Sequence, residues 1–186
     1  MKTKKERVPM PTKSNGLDLK KYIRDIPDFP KAGILFRDIT PLLQAPKAFR
    51  AAIRHLADRY KDKRIDKVLC VESRGFLFGA PLAVKLGAGL VIVRKPGKLP
   101  WKTKSVRYAL EYGTDVIEMH EDSILPGERV LIVDDLLATG GTASAGVQLV
   151  SDHKGKVVEC AFVIELEALG GRKRLAPAKV FSVVKY

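Results

Sequence analysis

The sequence predicts an α/β fold, an open, mostly parallel twisted sheet flanked by helices. Three observations carry that expectation. Short apolar runs that read as buried strands alternate with stretches of helical periodicity, as in Lys67–Glu72 then Phe76–Leu86, and Val130–Val133 then Ala143–Val150. The charged and small residues cluster where those strands end, at Glu72-Ser73-Arg74-Gly75, Arg94-Lys95 and Asp134-Asp135. Open α/β sheets bind their ligands at the carboxyl ends of strands. Finally, the longest near-apolar run, Phe76–Val84, is too short for a membrane span and carries Gly and Pro.

The elements come in this order. Residues 1–15 are polar, basic and Pro-containing, and read as a flexible tail with no apolar stretch of a secretory signal behind Met1. Leu17, Leu19, Tyr22, Ile23 and Ile26 keep rough helical spacing and predict a first helix ending before Pro27. The segment Phe29–Leu43 is short, irregular and aromatic, with Asp38 and Thr40 able to cap the next helix. Phe49, Ile53, Leu56, Ala57 and Tyr60 define an amphipathic helix. Gly89–Val93 is a further buried strand, and it enters a loop from Arg94 to Arg107 that carries Pro96, Gly97, Pro100 and Trp101.

That loop is also defined by its charge. Arg94, Lys95, Lys98, Lys102, Lys104 and Arg107 share it with no acid among them, so they are expected to repel one another until an anion arrives. Long loops of this kind are commonly lids, and the mobile lid is expected over about residues 94–113. Val116–Met119 alternates as a strand, Val157–Leu166 reads as an interior strand, Leu169–Arg174 as a basic turn and Val180–Val184 as the last strand. No internal repeat is visible, and residues 16–186 read as a single domain.

A net charge of +13 admits a nucleic acid or a polyanionic small substrate. The aromatic residues do not interleave with the basic ones as a stacking platform would, which makes nucleic acid the lesser reading. Cys70 and Cys160 stand alone in apolar strands, as expected of reduced, buried thiols in a cytoplasmic protein. His55, His120 and His153 have no partners at metal-ligand spacing and read as surface or satisfied structural residues.

The most specific stretch is Val130-Leu-Ile-Val-Asp134-Asp135-Leu-Leu-Ala-Thr139-Gly140-Gly141-Thr142. A strand ending in two carboxylates offers acceptors for vicinal hydroxyls. The glycine loop and the helix N-terminus behind it offer backbone N–H groups and a favourable dipole to a phosphate. Taken in fragments, the acid pair could be a solvated strand end and Gly-Gly an ordinary turn. The chain contains no Gly-x-x-x-x-Gly-Lys-[Ser/Thr] of a P-loop NTPase and no Gly-x-Gly-x-x-Gly dinucleotide fingerprint.

The run as a whole resembles the phosphoribosyl-pyrophosphate signature of type I phosphoribosyltransferases. From about Leu19 to Tyr186 the chain is similar to the adenine phosphoribosyltransferase family, on Gly33–Leu43, Glu72–Phe76, Arg94–Pro100 and Leu110–Gly113. The resemblance implies Mg²⁺-dependent transfer of phosphoribosyl from phosphoribosyl pyrophosphate to adenine, giving AMP and pyrophosphate. It also implies a small N-terminal base-binding hood and a homodimer that shares lid cations. Asp134 and Asp135 would hold the ribose hydroxyls, with Mg²⁺ held mainly by substrate and near these acids through water. Ala138, Thr139, Gly140, Gly141 and Thr142 would cradle the 5′-phosphate. Ser73, Arg74, Arg94, Lys95 and Lys98 would face the pyrophosphate, Phe36, Arg37 and Leu136 would frame the adenine, and Glu111 would join Arg74 as a catalytic group. A phosphoribosyltransferase for another base, and a nucleic-acid-binding regulator on the same fold, remain open at this point.

Overall fold

The computed structural model describes residues 16–109 and 113–186. It divides into two compact units, the first ending at Ala48 and the second running from Phe49 to Tyr186. The basic tail, residues 1–15, lies outside the described residues.

In the first unit the expected helix does not extend. A 3-10 turn covers Leu19–Tyr22, opened by the Asp18 carboxylate accepting the Lys20 N–H at 3.1 Å. The chain is already extended at Ile23 and continues as strand β1, Arg24–Ile26. Pro27 keeps only Ile26 out of the helical region; the residues before it are held extended by pairing with residues 36–38. β1 pairs antiparallel with β2, Phe36–Asp38. Asp38 then accepts hydrogen bonds from both the N–H and the hydroxyl of Thr40, at 2.9 and 2.7 Å, and starts the short helix α1, Thr40–Gln44.

Helix α2, Pro46–Tyr60, carries the chain into the second unit. There follow β3, Lys67–Val71, helix α3, Gly75–Leu86, and β4, Gly89–Val93. β5, Thr103–Ala109, and β6, Thr114–His120, come next. β7, Arg129–Leu137, leads to helix α4, Gly141–Asp152, and β8, Lys156–Glu165. A one-turn helix α5, Gly171–Arg174, and β9, Val180–Lys185, close the chain.

Five strands form one all-parallel sheet in the order β4-β3-β7-β8-β9. The order reverses direction between β3 and β7, so the chain makes a topological switch point there, and a crevice is expected at the carboxyl ends of those two strands. Val68 to Cys70, Val130 to Val133 and Cys160 to Ile164 are fully buried, as strands covered on both faces require. The buried Cys70 and Cys160 thiols are both pushed up to about 12 by desolvation.

Two expectations need correction here. The loop after β4 is not irregular to Arg107: its second half is β5, which pairs with β6 in register from Thr103↔His120 to Ala109↔Thr114. Alternation along Thr103–Ala109 with Gly113 at the turn is the hairpin signal that the cluster of cations obscured. The strand β7 also does not end at its acid pair. It continues to Leu137, held by β8 through Asp134↔Phe162 and Leu136↔Ile164.

Candidate active site

At the switch point lies a cleft of about 330 Å³, lined by the ends of β3 and β7, the loop into α4 and the inner side of the β5–β6 hairpin. Ser73, Arg74, Lys95, Asp134, Asp135, Leu136 and the whole run from Ala138 to Thr142 line it. Residues named from separate stretches of sequence therefore meet in one place.

Two glycines allow this closeness. A Cβ on Gly75 would sit 2.9 Å from Asp134 Oδ1 and 3.1 Å from the Val133 carbonyl oxygen, so only glycine lets α3 begin against β7. Gly140 has φ +80° and passes close to the Gly171 backbone, where a Cβ would stand 2.8 Å from the carbonyl oxygen. That left-handed residue turns the chain off β7 and into the N-terminus of α4.

The acid pair is in tension. Asp135 is only 4% exposed, and Asp134 is half-buried beside it. Desolvation raises both carboxyl groups above their ordinary range; Asp134 is raised further by the charge of Asp135, while Arg74 works to lower Asp135. Arg74 Nε stands 2.9 Å from Asp135 Oδ2. The N–H is not aimed along that line, and Oδ2 makes no well-formed hydrogen bond with the described residues. The Asp135 N–H donates to Asp134 Oδ1 at 2.9 Å, which fixes the first side chain over its own strand.

Arg94, Lys95 and Lys98 do not stand unopposed, which overturns for these three the expectation that the loop's cations repel one another until an anion arrives. Their acids come from other elements. Glu72 accepts from Arg94 Nε at 3.0 Å, the Lys95 N–H at 3.0 Å and Lys98 Nζ at 2.5 Å. Asp115 takes Lys95 Nζ at 2.7 Å. Arg94 and Lys98 thus reach the cleft through Glu72 rather than lining it. Glu118, buried at the centre of β6, accepts the Gly97 N–H at 3.0 Å and the Thr103 hydroxyl at 3.3 Å, and its backbone bridges Arg94. Tyr108 joins the two ends of the cleft: its hydroxyl accepts from Thr142 and donates to Asp115, both at 3.3 Å. Sequence reasoning assigns no role to Glu72, Tyr108, Asp115 or Glu118. Glu72 stands 22 positions from Arg94 and Asp115 stands 20 from Lys95, too far for any local spacing to reveal.

Phe36 and Arg37 lie in the other compact unit, on β2. The Phe36 ring meets Phe29 edge-on at 5.1 Å, and Arg37 pairs with Asp25 across the β1–β2 ladder. Glu111 lies outside the described residues. The histidines are half as expected: His153 Nδ1 bonds the Leu149 carbonyl at 2.7 Å, but Nε2 of His120 and of His153 are buried without a hydrogen-bond partner among the described residues. No cluster of three or more His, Cys, Asp and Glu could enclose a metal among the described residues, and no helix among them is long and apolar enough to cross a membrane.

A phosphoribosyl transferase domain family matches residues 38–185. With the sheet order and the acid pair leading into the glycine loop, this makes the chain a type I phosphoribosyltransferase in fold. The adenine phosphoribosyltransferase of Trichlorobacter lovleyi is 59% identical over 169 residues, covering 91% of this chain and 99% of that protein. The crystal structure of the adenine phosphoribosyltransferase from Thermoanaerobacter pseudethanolicus superposes with a TM-score of 0.88 at 53% identity, covering 90% and 98% of the two chains. The Saccharomyces cerevisiae adenine phosphoribosyltransferase, solved with adenine and an imino-altritol bisphosphate, gives a TM-score of 0.83 at 43% identity, over 89% of this chain and 96% of that one. The chain belongs to the adenine phosphoribosyltransferase family.

Proposed function

We propose that this protein transfers the 5-phosphoribosyl group of phosphoribosyl pyrophosphate to N9 of adenine, releasing AMP and pyrophosphate in purine salvage. The observation that carries this reading is one cleft lined by an acid pair, a glycine-bordered helix N-terminus and the cations Arg74 and Lys95. Those three features match a sugar's hydroxyls, its 5′-phosphate and a departing polyanion. The yeast relative bound to adenine and a sugar-bisphosphate mimic supports the same pairing of base and sugar phosphate.

The chemistry asks for this layout. As the bond from C1 to pyrophosphate breaks, positive character grows on the ribose ring and negative charge on the leaving group. In this reading Asp134 and Asp135 tolerate the ring's cationic character, Ser73, Arg74 and Lys95 meet the growing charge of the leaving group, and Arg94 and Lys98 join them from beside Glu72. N9 of adenine forms the new bond to C1 as the bond to pyrophosphate breaks, and the imidazole proton of the purine passes to Glu111, our candidate base. Phe36 and Arg37 are assigned to the base, with Leu136 packing on it. The stretch of about residues 94–113 serves as the lid that keeps water from the same carbon.

A half-buried carboxylate on Asp134 beside the buried one on Asp135 suits Mg²⁺, which keeps much of its water and binds through one or two carboxylates plus substrate phosphates. Asp134 and Asp135 are the residues that would reach it, through water. When bound, the ion neutralises charge on the pyrophosphate oxygens. A homodimer has a candidate face on the second unit: α3 exposes Leu77 and Val84, and the edge strand β4 exposes Leu90 and Ile92 on one side. The unpaired Cys70 and Cys160 favour a cytoplasmic setting.

The test is base-dependent pyrophosphate release from phosphoribosyl pyrophosphate with Mg²⁺, run against adenine, guanine, hypoxanthine and uracil. Adenine should support turnover by a wide margin, and absence of turnover with adenine would sink the assignment. The Asp134→Asn, Asp135→Asn double variant should lose about a hundredfold or more in kcat/KM while still unfolding cooperatively.

A further inference from the structure

We propose that Glu72 and Asp115 are placeholders for pyrophosphate: they hold the cations of the cleft in position before it binds and reclaim them when it leaves. The proposal rests on the assigned function, in which Arg94, Lys95 and Lys98 receive the leaving group. Two carboxylates satisfy all three cations and one backbone N–H, within 2.5 to 3.0 Å. Both line the same cleft as Ser73 and Arg74. They stand on different strands, Glu72 just past β3 and Asp115 near the start of β6, so the arrangement spans the cleft rather than arising from one turn.

Both groups are anionic at neutral pH. Burial works to raise Glu72, but Lys98, the Lys95 N–H and Arg94 together hold it below its ordinary value. Lys95 holds Asp115 below its own. A carboxylate facing a polyanion site costs binding affinity, so its presence there calls for a benefit. The benefit is exchange: each cation trades one anion for another, and pyrophosphate is bound only by the difference. A site lined by bare lysines and arginines would keep its product; this one gives it up. Asp115 is also equipped to stand alone while Lys95 is away. It accepts the Val116 N–H at 2.9 Å and the Tyr108 hydroxyl at 3.3 Å. Because the same hydroxyl accepts from Thr142, the placeholder is tied to the loop assigned to the 5′-phosphate. Glu72 and Asp115 are positioning residues, acting through the cations.

The experiment is calorimetric titration of pyrophosphate with Mg²⁺ into wild type, Asp115→Asn, Glu72→Gln, Lys95→Gln and the Asp115→Asn, Lys95→Gln pair, beside steady-state kinetics on phosphoribosyl pyrophosphate. Lys95→Gln should weaken pyrophosphate. Asp115→Asn should tighten it about two- to fivefold, the equivalent of a partly exposed ion pair of about 0.4–1 kcal/mol. KM for phosphoribosyl pyrophosphate and kcat should fall together as release slows, and the tightening should vanish in the Lys95→Gln background. Glu72→Gln, on a different element, should tighten pyrophosphate in the same direction. Unchanged or weaker binding in both carboxylate variants, with Lys95→Gln still weakening it, overturns the placeholders and leaves the assigned function standing. Equal tightening with and without Lys95 also overturns them, since that would be general relief of negative charge. No effect of Lys95→Gln removes the pyrophosphate assignment and the placeholders with it.

Discussion

At the scale of single residues, Asp134 and Asp135 set function against stability. Their folded-state values are raised by burial, so the folded protein binds protons more tightly there than the unfolded chain does. Stability from this pair is therefore greatest in acid and is lost as pH rises from the ordinary value near 3.8 through the raised ones. Asp134→Asn keeps an oxygen for the Asp135 N–H and removes the charge. It should melt a few degrees above wild type at pH 8, since about 1 kcal/mol corresponds to about 2–4 °C in a chain of this size, and the gap should close toward pH 4. Thermal unfolding across that range measures it; a variant that melts lower than wild type at pH 8 would refute the argument. Glu159 shows the opposite sign. Burial works to raise it, but Arg59 and Lys63 bond it at 2.6 and 3.1 Å and leave it lowered, so its contribution is present above about 4.5 and fades in acid.

At the scale of elements, the β5–β6 hairpin is anchored in the core by Ile117 and Met119, whereas the loop before it is tied down by one buried acid. Glu118 ties Gly97 and Thr103 to β6. Removing it deletes the hydrogen bonds from the Gly97 N–H and the Thr103 hydroxyl, at about 0.5–1.5 kcal/mol each. Glu118→Ala should make residues 94–103 a fast site of limited proteolysis while the sheet stays intact; cleavage at the wild-type rate would count against this. The same element marks where sequence reading stops. The five parallel strands and α2 to α4 are legible because long-buried segments carry their period and composition openly. The first helix fails because Arg24–Ile26 pair with Phe36–Asp38, a partner beyond the reach of local spacing. The strand character of Thr103–Ala109 is hidden by its cations. The candidate site is legible wherever its residues are contiguous, as in Asp134–Thr142. It is not legible at Asp115 and Glu72, whose role comes only from pairings across the cleft.

At the scale of the molecule, the net charge of +13 does not concentrate in the cleft, where acids balance the cations Arg74, Lys95 and Lys98. The exposed apolar side chains are more informative. Val84 is 83% exposed on α3, and Leu77 lies seven residues before it on the same side. If this face closes the dimer, Val84→Glu should shift sedimentation from dimer to monomer with little change in the unfolding of each chain. A Val84→Glu protein that still sediments as a dimer would exclude the face. The parallel sheet itself also has an internal margin. Pairing between β3 and β7 ends at Cys70↔Val133, whereas β8 accompanies β7 on to Leu137. From Asp134 onward β7 is therefore a strand with one neighbour, an edge opened inside a sheet. Edges elsewhere invite unwanted partners and are usually covered. This one opens onto the cleft of about 330 Å³, so on the proposed function a sugar phosphate would lie against the stretch of strand that the protein leaves unpaired.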